Sequence, residues 1–76
     1  MPKNEYLNYA VENGTQAQAM LIKCLMYYKV KEDAIAVIML MVRTDDQIAE
    51  MAEFLQKNPK ATESEILEEA MRIDEM

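Results

Sequence analysis

Histidine and tryptophan are missing from this chain, and among its 76 residues there are one glycine, one cysteine and two prolines. Each scarcity removes a kind of chemistry. Without an imidazole there is no histidine general base, no His-centred nucleophilic triad and no zinc site of the Cys/His type. Gly14 alone cannot build a phosphate-cradling loop, because such loops need several residues with no Cβ near the ligand. Cys24 has no second cysteine in its own chain, so internal disulfides are out and a lone thiol fits a reducing, cytoplasmic setting. The opening MPKNEYLNYA holds one lysine but no apolar stretch and no small-residue cleavage site, so no secretory leader is expected there. These gaps leave an enzyme of any kind the least expected reading, and no cofactor is expected.

Positive charge is also in short supply. Fourteen Asp and Glu stand against eight Lys and Arg, a net charge of −6, and that sign repels a phosphate backbone instead of neutralising it. Direct nucleic-acid binding is therefore not expected. From Thr62 to Met76 there are six acids and one base, or −5, so nearly all the net charge sits in the last fifteen residues.

What the chain does have is apolar material, 51% of its residues, which is the opposite of a disordered composition. It also has a recurring helix start. Thr15 with Gln18, Thr44 with Gln47 and Thr62 with Glu65 each place a threonine three residues before Gln or Glu. In that spacing the hydroxyl accepts from the third backbone N–H while the longer side chain reaches back to the cap. Asn13-Gly14 offers a left-handed stop for an earlier helix, and Asn58-Pro59 ends the helix begun at Thr44. KVKED at 29–33 has no glycine or proline, but two bases followed by two acids suit one helix end and a new start. A single helix from Thr15 to Arg43 is the alternative. The expected fold is all-α: one domain, a small bundle of four to five short helices over about 4–12, 15–29, 32–43, 44–58 and 62–74.

The last two helices are one-sided. Ile48, Met51, Ala52 and Leu55 recur at i, i+3, i+4 and i+7, and Ile66, Leu67, Ala70, Met71 and Ile73 line the other against acids. The second and third helices are apolar nearly all round, culminating in AIAVIMLMV at 34–42. As a helix those nine residues span about 13.5 Å, under half a membrane's hydrocarbon core, and Asp33 and Arg43 close both ends. No membrane partner is expected. A chain this short lacks the material to surround two such helices, so self-association is expected, giving a homodimer. The residues expected at the dimer or partner interface are Met20, Cys24, Tyr27, Tyr28, Ile35, Ile38, Met39, Met41 and Val42.

Other chemical candidates have plainer readings. Cys24, mid-helix in an apolar run, reads as a small buried hydrophobe before it reads as a nucleophile. Asp46, Glu50 and Glu53, like Glu65, Glu68 and Glu69, read as solvated acidic faces before cation sites, since neither has a calcium-loop pattern. The methionines suit core and interface filling, or a Met-lined groove for a partner helix. The leading expectation is a non-enzymatic contact protein, a homodimer that binds another protein. An acidic decoy or inhibitor of the nucleic-acid-mimic or anti-defence type, using Glu65, Glu68 and Glu69, is the alternative. A helix-turn-helix regulator built on the last two helices comes third.

Overall fold

A computed structural model describes residues 3–75. It holds five helices and, among the described residues, no strand: α1 (Glu5–Asn13), α2 (Gln16–Tyr27), α3 (Glu32–Met41), α4 (Asp45–Lys57) and α5 (Glu63–Asp74). All three threonine boxes form. Thr15, Thr44 and Thr62 accept from the N–H of Gln18, Gln47 and Glu65 at 3.1, 3.1 and 3.2 Å, and those side chains accept from the cap N–H at 2.9, 3.1 and 2.9 Å.

Helix α3 has no side-chain cap of its own. Its cap N–H, on Lys31, donates to the carboxylate of Glu63 at 2.9 Å, and Glu32 in turn accepts from the N–H of Asn4 at 2.6 Å. The first turn of α5 thus serves the start of α3, and the first turn of α3 serves the start of α1. Three helix N-termini meet at one end of the molecule, where carboxylates complement their orphan donors and dipoles.

These contacts make an acid limb. Glu32 is held below the ordinary glutamate range by the N–H groups of Lys3 and Asn4, Glu65 by Thr62, Glu69 by Arg72 and Glu53 by Lys57. A carboxyl group that is more acidic folded than unfolded stabilises the fold above its unfolded value and loses that contribution as pH falls through the folded one. Thermal stability should therefore be flat near neutrality and decline once pH drops below about 4.5. Glu53 and Glu65 are exposed and Glu32 and Glu69 half-buried at the surface, so each contribution is small. Melting curves across that range check this, and Glu32→Gln should flatten part of the decline.

The break between α2 and α3 is real, and its device is not visible in KVKED. Lys29 adopts φ 62°, the left-handed conformation. Around it the N–H of Val30 donates to the carbonyl of Leu25 at 3.1 Å and that of Lys29 to Met26 at 2.9 Å, with Val30 and Leu25 both in the core. This is a Schellman stop with lysine where glycine is usual. Gly14, expected to be left-handed, is not: its φ is −80°. It is there for space, because a Cβ would sit 2.5 Å from the carbonyl oxygen of Ala10 and 2.6 Å from Oε1 of Gln18. The two sites predict opposite outcomes. Lys29→Gly removes a left-handed side chain and should stabilise by about 1 kcal/mol, and Gly14→Ala should destabilise by about 1 kcal/mol or more. Urea titrations of the two variants test the pair.

Helices α2, α3, α5 and α4 pack in a ring, each on the next and α4 back on α2, while α1 lies on both α2 and α3. Thus α2 and α3 each meet three neighbours, and α4 and α5 two. That difference explains the composition: the two helices with the most neighbours are the two that are apolar nearly all round. The expected shortage of covering material is eased by α1, which serves both. The run at 34–42 conceals a stripe at i, i+3, i+4 and i+7, namely Ile35, Ile38, Met39 and Val42, all buried in the core with Leu7, Leu25, Met51 and Ile66.

Candidate functional site

The chemistry-bearing side chains do not converge. Among the described residues no three Cys, Asp or Glu groups are placed to hold a metal ion, and no helix is long and apolar enough to cross a membrane. Cys24 is half-buried and burial pushes its thiol up, which keeps it protonated and poorly nucleophilic at neutral pH. Of the acidic face, Glu65 is engaged with its own helix cap, Glu69 accepts from Nε and Nη2 of Arg72 at 2.9 and 2.5 Å, and Glu68 is exposed. Two of the three carboxylates are thus committed inside α5.

Apolar surface is what the fold leaves over; apart from Tyr6 and Tyr9, exposed on α1, it falls in two places. The first is a groove of about 750 Å³ between α2 and α4. From α2 and its C-cap it takes Ala17, Met20, Leu21, Cys24 and Tyr28, which recur at helical spacing along one face. From α4 it takes Ile48, Ala49, Ala52 and Leu55, with Glu53 and Gln56 at the edge. The space exists because alanines stand where larger side chains would close it; Met20 is the one methionine, so this is not a Met-lined groove. Its lower end is fixed by the Tyr28 hydroxyl, which donates to the carbonyl of Leu55 at 2.6 Å and ties the end of α2 to the last turns of α4. Beyond the groove, Tyr27 meets Tyr28 edge-on at 6.1 Å and is 84% exposed.

The second is the outer stripe of α3. Val37 is 47% and Leu40 63% exposed, half a turn of the wheel from the buried stripe, and Ala36 and Met41 flank them half-buried. Met71, 58% exposed, adds apolar area on α5, which packs against α3.

The nine residues expected at an interface divide accordingly. Met20, Cys24 and Tyr28 line the groove, Tyr27 stands beside it and Met41 flanks the α3 stripe. Ile35, Ile38, Met39 and Val42 are core, so no partner reaches them while the protomer is folded. The reason is the helical period: within a run of uniform polarity the sequence does not say which third faces inward. Val37 and Leu40 were masked by the same uniformity. Asp33, four residues before Val37 and seven before Leu40 on α3, shares their face and was the one available signal.

No family model, curated protein or solved structure matches the chain.

Proposed function

We propose that the protein acts by contact, as a non-enzymatic helical module that pairs with a second copy through the outer stripe of α3. The observation behind this reading is the exposure of Val37 and Leu40 on a segment that carries no charge from Ala34 to Val42. A chain of net charge −6 repels its own copies over most of its surface. Across this segment two copies meet without opposing like charges. A standard interface takes about 800 Å² from each partner, roughly a sixth of the 5163 Å² this protomer exposes. The stripe supplies the centre of such an area and Met71 extends it onto α5.

In a two-fold dimer a residue near the axis meets its own counterpart. With Cys24→Ala removing the native thiol, Val37→Cys should therefore form a disulfide-linked dimer under mild oxidation, and Glu53→Cys, on the far side of the ring, should not. Equal cross-linking at both positions would mean random collision and would remove the dimer from the proposal.

A further inference from the structure

We infer that the groove between α2 and α4 receives an amphipathic helix of another protein, about three turns long, with its apolar side on the alanine floor and basic residues toward α4. The inference rests on the reading of the protein as a contact module. The shape is that of helix-in-groove recognition: the α2 wall from Ala17 to Tyr28 spans about 16 Å, the rise of three helical turns. Ala49 and Ala52 on α4 leave a floor low enough for a helix bearing Leu-sized side chains at i, i+3, i+4 and i+7.

Charge selects among occupants. The two walls differ: α2 offers Met20 and Tyr27 beside one lysine, Lys23, whereas the thirteen residues of α4 carry four carboxylates and one ammonium. Asp46 and Glu53, seven residues apart, share the flank of α4 that borders the groove, and Lys57 is already held by Glu53 at 2.7 Å. An incoming helix with Lys or Arg on its α4 side gains there, and one with Glu loses. A second copy does not qualify, because no helix of this chain carries more than one basic residue and α1 and α3 carry none. The groove and the α3 stripe thus take different occupants: α4 lines the first with carboxylates along its length, whereas the second is uncharged from Ala34 to Val42 and meets acid only at Asp33, at its end.

Two fluorescent helical peptides test this. Both carry leucine at i, i+3, i+4 and i+7 over about fourteen residues; one has lysine and the other glutamate at the remaining positions. The lysine peptide is expected to bind at least about tenfold more tightly than the glutamate peptide, an advantage that shrinks as salt is added. Filling the floor with Ala52→Phe, at an exposed position, should cost the lysine peptide at least about tenfold in affinity. The pair Asp46→Lys and Glu53→Lys should reverse the preference between peptides, and gives a reading if the filled variant fails to fold. Equal binding of the two peptides, or binding indifferent to both sets of substitutions, overturns the inference. So does a loss of self-association in Ala52→Phe, which would seat a second copy in the groove. Repeating the titration on Leu40→Glu separates the two claims: groove binding that persists without a dimer supports the groove alone, and a dimer without groove binding supports the α3 stripe alone.

Discussion

Ile38→Ala is expected to destabilise the protomer by about 2–5 kcal/mol, the range for truncating a fully buried aliphatic side chain and leaving part of its volume empty. Ile38 is 0% exposed and lies in the middle of the inward stripe of α3, the helix that touches α1, α2 and α5. A chain of this length has a total stability of roughly 4–11 kcal/mol, so one such change removes a large share of it. The melting temperature should fall by at least about 10 °C, and urea unfolding should move to a much lower midpoint. Val37→Ala, one residue earlier in the same run, should cost no more than about 0.5 kcal/mol, because Val37 is 47% exposed. Two neighbouring β-branched residues in one uninterrupted apolar stretch thus differ several-fold in cost. Equal costs would mean that α3 is turned about its axis relative to this account.

Leu40→Glu is expected to do the converse. At 63% exposure its protomer contacts are few, so the folded chain should keep its helicity, and its melting temperature should fall only by what pairing adds to the native protein, a difference that vanishes on dilution. The effect belongs to the proposed dimer. Near a two-fold axis the substitution sets two carboxylates against each other inside an apolar contact, which costs about 3–5 kcal/mol when nothing pairs with them. That corresponds to a dissociation constant raised by at least a hundredfold. Leu40→Ala should weaken pairing less, since it removes area without adding charge.

The elements were legible in the sequence because they are written locally. A threonine three residues before Gln or Glu fixes a helix start by hydrogen bonds within one turn, and Thr15, Thr44 and Thr62 all form them. The stop at Lys29 was harder. Its left-handed conformation has no residue signature, since lysine is tolerated there only because Val30 and Leu25 hold the turn from inside the core. Gly14 shows the converse error: a glycine read as a conformational device is a spatial one, and the crowding atom on Ala10 belongs to the preceding turn. The links from Glu63 to Lys31 and from Glu32 to Asn4 cross 32 and 28 residues and have no local pattern at all.

The site divides along the same line. That α2 and α3 must keep an apolar face after folding follows from composition and chain length, without coordinates. Which residues make up that face does not, because in AIAVIMLMV every direction around the axis is apolar and inward and outward stripes look alike. The ring of α2, α3, α5 and α4 with α1 laid over two of its members settles the orientation, and it assigns Ile35, Ile38, Met39 and Val42 to the inside and Val37 and Leu40 to the outside. The groove was foreseeable only in part. Met20, Cys24 and Tyr28 stand out along α2, but Ala49 and Ala52 look like ordinary helix filler until α4 is placed beside it.

The division of that one run into a stripe that holds the protomer and a stripe that holds a second copy is tested most directly by equilibrium sedimentation of the native chain beside Leu40→Glu at micromolar concentration. The native protein should sediment at twice its 8.8 kDa chain mass and Leu40→Glu at 8.8 kDa, both fully helical. A native protein that stays at 8.8 kDa, or a Leu40→Glu chain that still pairs, would contradict it.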